Sequence, residues 1–163
     1  MADRPWFVCH TRPRCEKKLA AVLTAERIEH YLPLILSVRR YHDGTKRFTK
    51  PLFPGYVFAQ VDPELKPRIY QQDNVARAIP VEDVPRFLVQ MEEVKRIVAS
   101  GLELSVMPLL RRGRRVKILG GALHGLEGLV DNPADPQGIV VSVDVLQRGL
   151  HVRVPAGQLD PLP

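Results

Sequence analysis

The hydrophobic period of this chain changes once, and that change constrains what it can fold into. Between residues 84 and 98 apolar side chains recur at helical spacing, whereas beyond residue 112 they alternate. A period near 3.6 asks for a helix with one buried stripe, and a period of two asks for strands half buried on a sheet. Val84, Phe87, Leu88, Met91, Val94 and Val98 form the stripe. Asp83 and Pro85 supply a helix start and Gly101 a stop. RRVKIL, GLEGLVDN, GIVVSVDVLQ and LHVRVP are then four strand candidates, punctuated by Gly120-Gly121, Asn132-Pro133, Asp135-Pro136 and Arg148-Gly149. Short strands at that spacing predict a small barrel. Two domains follow, at 1–100 and 111–163, with a linker over 101–110.

Upstream of the stripe the pattern is mixed. PWFVCH (5–10) reads as a buried strand, Thr11 can cap the next element, and Cys15, Leu19 and Val22 recur at helical spacing to about residue 28. A strand runs from Tyr31 through YLPLILSVRRY, with Pro33 marking an edge or bulge. Asp43-Gly44 turns the chain and KRFTK returns as the second arm of a basic hairpin. PLFPGYVFAQVD (51–62) then sets two prolines and a glycine between aromatics just ahead of another strand, YVFAQV. Pro67 limits any helix in 63–82 to a short piece, and VARAIPV reads as a strand. The order β-α-β-hairpin-β-(α)-β-α predicts an α+β layer, with helices over a mainly antiparallel sheet.

Composition narrows the function classes. The 163 residues are 45% apolar and 26% charged, the mix of a globular protein. No apolar run approaches the roughly 18 residues that cross a bilayer. MADRPWFVCH lacks a signal-peptide core, so a cytoplasmic protein without a membrane partner is expected. Net charge is +6, which favours acidic partners. Arg39, Arg40, Lys46, Arg47 and Lys50 face one acid, Asp43, within 39–50; Arg111, Arg112, Arg114, Arg115 and Lys117 crowd 111–117 with none.

Cys9 and Cys15 are the two cysteines, and their spacing matches neither a disulfide framework nor a common zinc site, even with His10 beside them. Cys9 is expected along a strand and Cys15 on the apolar face of the first helix. His10, His30, His42, His124 and His151 are scattered, and no catalytic motif is present. No enzyme, metal or cofactor is expected. The glycine-rich segment 120–132 lies between strands rather than ahead of a helix, which suits tight corners better than a phosphate cradle.

VKILGGALHGLEGLV (116–130) carries Gly120, Gly125 and Gly128 at the spacing of a KOW motif. Trp6-Phe7-Val8, then Glu16 early in the first helix, then Phe53-Pro54-Gly55-Tyr56 follow the order of an NGN domain. Over essentially its whole length the chain resembles the NusG family of transcription elongation factors, and within it the specialised RfaH-like antiterminators. The resemblance implies an NGN domain, an antiparallel sheet flanked by helices, followed by a small SH3-like β-barrel KOW domain. It implies docking on the clamp helices of the largest RNA polymerase subunit, with Trp6, Phe53, Pro54 and Tyr56 as candidate contacts, although the same aromatics also suit a core.

Arg12, Arg14, Lys17 and Lys18 begin the first helix, where cations oppose the helix dipole. With Arg39, Arg40, Lys46 and Arg47 of the hairpin they are candidate contacts to non-template DNA or nascent RNA. The KOW domain would engage Rho or a ribosomal protein, and a monomer is the family expectation. The helical hairpin form of the RfaH C-terminal domain is not expected here, because GIVVSVDVLQRGLHVRV is β-branched and alternating. The implied function is modulation of pausing, termination or antitermination. The alternative is an RNA- or ribosome-binding KOW protein that ignores polymerase.

Overall fold

The structure is a computed structural model that describes residues 5–162. The chain divides into two compact units, 1–84 and 85–163.

The first unit is built on a four-stranded antiparallel sheet. Its strands are β1 (Trp6–Thr11), β2 (Glu29–Tyr31), β5 (Tyr56–Gln60) and β6 (Val75–Pro80), in the order β2-β5-β1-β6. Phe7 lies opposite Ala59 and Cys9 opposite Val57, so these four share one face. That face packs with Leu19 and Leu23 of helix α1 (Glu16–Ala25) and Ile69 of helix α2 (Lys66–Tyr70). Cys9, Leu19, Leu23 and Val57 have no accessible surface, and truncating either leucine to alanine would cost about 2–5 kcal/mol.

Several local expectations shift. The buried stripe of α1 is Glu16, Leu19 and Leu23, not Cys15, Leu19 and Val22. Cys15 sits at the helix N-cap, and Thr11 stays in β1 rather than capping. The helix therefore begins four residues later than the sequence suggests, because Thr11 is held as the last rung of β1 against β6. Leu32-Pro33 splits the long predicted strand into β2 and β3 (Leu34–Tyr41). Among the described residues β3 pairs only with β4 (Gly44–Pro51), giving a two-stranded ribbon of eight residue pairs from Leu34↔Pro51 to Tyr41↔Gly44. Its turn is His42-Asp43, one residue earlier than predicted.

The second unit holds helix α3 (Val84–Ser100) and a six-stranded antiparallel sheet. The sheet contains β7 (Leu104–Pro108), β8 (Arg114–Ile118), β9 (Glu127–Val130), β10 (Gly138–Val143), β11 (Arg148–Arg153) and β12 (Leu159–Pro161). Their order is β12-β8-β9-β10-β11-β7, an open sheet with β12 and β7 at its edges. β7 occupies the stretch expected as a linker and pairs with β11, Leu104 opposite Val152 through Pro108 opposite Arg148.

The apolar stripe on α3 also differs from the pattern read in the sequence: Phe87, Gln90, Met91, Val94 and Ile97 are buried, while Leu88 is exposed. The Gln90 side-chain oxygen accepts from the Asp144 amide at 3.0 Å, and Arg86 pairs with the Asp144 carboxylate. Arg96 donates to the carbonyls of Ala122 and His124 at 3.1 and 2.8 Å. Among the described residues no helix is long and apolar enough to cross a membrane.

Candidate docking surface and basic ribbon

The Phe53-Pro54-Gly55-Tyr56 stretch is a tight turn into β5, and backbone bonds fix it. The Tyr56 amide donates to the Phe53 carbonyl at 3.2 Å, and the Thr11 amide donates to the Gly55 carbonyl at 2.8 Å. Gly55 has φ +90°, a conformation that other residues resist. The turn sends its aromatics in different directions. Phe53 is 3% exposed and Trp6 8%, so both serve the interior and present almost no surface to a partner. Pro54 is exposed and Tyr56 half-buried. The Tyr56 ring stacks on His10, with centroids 5.1 Å apart and planes 15° from parallel.

Behind this surface lies Glu16, 8% exposed. Its carboxylate accepts from the Gly55 amide at 3.3 Å and from the Thr11 hydroxyl at 3.5 Å. A buried carboxylate in the first turn also suits the positive end of the helix. Residue types alone placed Glu16 only as part of a family pattern. That its partner is the glycine of the turn, 39 positions away, is visible only in the fold.

The cations near this turn fall into two groups. Arg12 and Arg14 precede α1 instead of starting it, and both are exposed. Arg14 has φ +62°, left-handed for a non-glycine residue, and the Arg12 amide is tied to the Asn74 carbonyl at 3.0 Å. Together with His10, Pro54 and Gly55 they line an open cleft of about 620 Å³. Lys17 is different: its ammonium donates to the Thr49 carbonyl at 2.6 Å and to the Thr49 hydroxyl at 3.2 Å, fastening α1 to the root of the ribbon. Lys18 is exposed on the first turn of α1.

On the ribbon, Arg39, Arg40, Lys46 and Arg47 are all exposed. The Arg39 guanidinium lies 5.5 Å from the Phe48 ring centroid and the Lys46 ammonium 5.6 Å from that of Tyr41. These four cations are carried by the ribbon, whereas Arg12 and Arg14 belong to the loop before α1.

The three glycines of the 116–130 segment lie in the second unit and have separate geometric roles. Gly120 is extended, Gly125 has φ +89°, and Gly128 in β9 leaves no room for a Cβ against Ile139 and the Val140 carbonyl. In the same unit a cleft of about 500 Å³ is lined by Arg86, Glu93 and Arg115 among others. Burial pushes the Glu93 carboxyl up, against the opposing pull of Arg86 and Arg96. Arg153 donates to Asp135 at 2.9 Å and holds that carboxyl below its ordinary value. Among the described residues no group of three or more His, Cys, Asp or Glu side chains could hold a metal.

The family model described as "Transcription termination factor nusG" matches residues 4–103. The chain belongs to the NusG family. The match takes in the first unit from residue 4 onward, including the 53–56 turn, Glu16, the ribbon and both arginines of the cleft, and extends through α3. Membership in the NusG family supports a role in transcription elongation, and the family consists of non-enzymatic transcription factors. No curated protein matches the chain. Among solved structures, the crystal structure of the MjSpt4:Spt5 complex in conformation B is 14% identical, covering 96% of this chain and 96% of that one. Its TM-score of 0.33 is too low to carry a structural argument.

Proposed function

We propose that this NusG-family chain docks on the clamp helices of RNA polymerase through the surface formed by Tyr56, His10 and Pro54, and thereby modulates pausing and termination. The supporting observation is the 53–56 turn. An exposed proline and a half-buried tyrosine stacked on His10 are held in place by Glu16, which offers an aromatic anchor at little entropic cost. Trp6 and Phe53 are buried and are not assigned to the contact. An aromatic patch receiving a helix is a common mode of recognition.

The mechanism is differential binding. A factor that prefers the elongating state of the polymerase shifts the enzyme toward it, and one with equal affinity for all states shifts nothing. Arg12 and Arg14 line the neighbouring cleft and are assigned to non-template DNA or nascent RNA. Residues 111–163, which carry Gly120, Gly125 and Gly128, are assigned as the KOW module that takes a further partner, Rho or a ribosomal protein. The alternative of an RNA-binding protein that ignores polymerase is disfavoured because the family match falls on the first hundred residues, where the docking turn lies.

The test is co-migration with RNA polymerase assembled on a DNA–RNA scaffold, comparing wild type with Tyr56→Ala whose folding is checked by circular dichroism. Binding that the folded variant loses supports the reading. Equal binding by both proteins, or retention of free RNA alone at physiological salt, overturns it.

A further inference from the structure

We infer that one face of the β3–β4 ribbon is a stacking platform for single-stranded nucleic acid, an inference that deepens the proposed function and rests on it for its biological setting. Directly opposed residues of an antiparallel pair share a face. Arg39 lies opposite Lys46, Tyr41 opposite Gly44, Ser37 opposite Phe48 and Ile35 opposite Lys50. From tip to root, that face presents Tyr41, then Arg39 with Lys46, then Phe48, then Lys50. The other face presents Arg40, Val38 with Arg47, and Leu36. Both aromatics of the ribbon thus share a face with three of its five cations, and the exposed aliphatics Leu36 and Val38 lie on the opposite one.

The rings are available. Tyr41 is 47% exposed and Phe48 36%, although burying either would stabilise a ribbon with no third strand. They stand two same-face levels apart, about 13 Å along the ribbon, so each addresses its own base. A cation lies over each ring, 5.5 Å from the Phe48 centroid and 5.6 Å from that of Tyr41, so a base stacks on the opposite face or displaces it. A base stacked on either ring would bring its phosphate close to that charge.

Exposed rings alternating with cations match a strand whose bases have free π-faces and whose backbone is anionic. A duplex offers the phosphates but hides the base faces. A bare acidic protein surface would use the cations and leave the rings without purpose. The major groove of a duplex does admit a two-stranded ribbon, which makes duplex binding the competing outcome of the test.

The experiment is fluorescence anisotropy of the full chain with a short single-stranded oligonucleotide, in DNA and RNA versions, the matching duplex, and an abasic strand of equal charge, each over a range of salt. Phe48→Leu and Tyr41→Leu keep the apolar bulk and remove the ring. Each should weaken single-strand binding by at least about fivefold, leave the salt slope unchanged, and make no difference on the abasic strand. Arg39→Gln and Lys46→Gln should each flatten the slope of log K against log salt by about 0.7. Leu36→Ser and Val38→Ser should alter nothing.

Tighter binding to duplex, ring variants that bind like wild type, or equal losses from Leu36→Ser would overturn the inference. No polymerase is present in this assay. Its failure with Tyr56-dependent docking intact would therefore remove the platform alone, and loss of docking with ring-dependent oligonucleotide binding intact would remove the docking reading alone.

Discussion

Glu16→Ala should loosen the docking turn and destabilise the first unit by about 2 kcal/mol. The carboxylate is buried and accepts from the Gly55 amide at 3.3 Å and the Thr11 hydroxyl at 3.5 Å. Leaving a buried donor unsatisfied costs about 1–3 kcal/mol, and these two long contacts belong at the low end of that range. Losing an acidic group from the first turn of α1 adds about 0.3–1 kcal/mol. For a unit of this size, about 2 kcal/mol lowers the melting temperature by roughly 8–16 °C. Glu16→Gln keeps an oxygen acceptor and loses the charge, so it should fall between the variant and wild type.

The assay has a natural probe. Trp6 is the single tryptophan and lies in β1, so its fluorescence during thermal unfolding reports the first unit separately from the second. Co-migration with polymerase, run well below either transition, then separates loss of shape from loss of fold. A folded Glu16→Ala protein that docks more weakly is the expected result. An unchanged tryptophan transition would refute the energetic reasoning, and full docking by a clearly destabilised variant would refute the positioning role.

Three further outcomes are expected. Lys17→Met should speed amide hydrogen exchange along Gly44–Pro51 without moving the core strands, because Lys17 fastens the ribbon root at Thr49; protection unchanged in β4 would show the contact to be idle. Burial pushes the Cys9 thiol up to about 12 from 9.0, so at pH 8 a thiol reagent should label Cys15 quickly and Cys9 only on unfolding. Because the unfolded thiol ionises first, Cys9's contribution to stability is complete below about pH 9 and is lost as pH rises from there toward 12, which pH-dependent unfolding would detect. Gly128→Ala should destabilise the second unit by about 1–3 kcal/mol, since its Cβ would meet Ile139 and, at 2.8 Å, the Val140 carbonyl, whereas the Cβ of Gly125→Ala meets nothing within 4 Å and costs about 1–2 kcal/mol through its backbone conformation.

Much of the element order was legible, because the apolar stripe marks α3 and short, continuously apolar runs mark β1 and β5, whose residues are buried on both faces. β7 and β12 were not legible: each pairs on one side only, so neither carries a full alternation, and β12 is three residues ending in proline. The α3 stripe was misdrawn by about one position. Leu88 fits the apolar pattern yet is exposed, while Gln90 is buried because its side-chain oxygen satisfies the Asp144 amide, a need that no helical pattern encodes. In the candidate site, the turn at Pro54-Gly55 was plain, but the inward direction of Phe53 and the pairing of Glu16 with Gly55 depend on long-range contacts. Counting cations likewise grouped Lys17 with Arg12 and Arg14, although its ammonium is engaged by Thr49.

The first turn of α1 emerges as the joint of the first unit. Glu16 and Lys17 are adjacent, so their side chains leave the helix about 100° apart and can reach different neighbours. One holds the docking turn at Gly55 and the other holds the ribbon root at Thr49. Leu19 and Leu23, further along the same helix, are wholly buried and anchor it to the core. What the pair sets is direction. A two-stranded ribbon pairs with no other strand, so its aim depends on whatever grips its base. The same ten-residue helix thus references both the aromatic surface and the ribbon to one rigid core. On the proposed function the chain meets a protein surface and a nucleic-acid strand at once, and it then needs those two surfaces in fixed register, because simultaneous engagement raises avidity only where the geometry permits it.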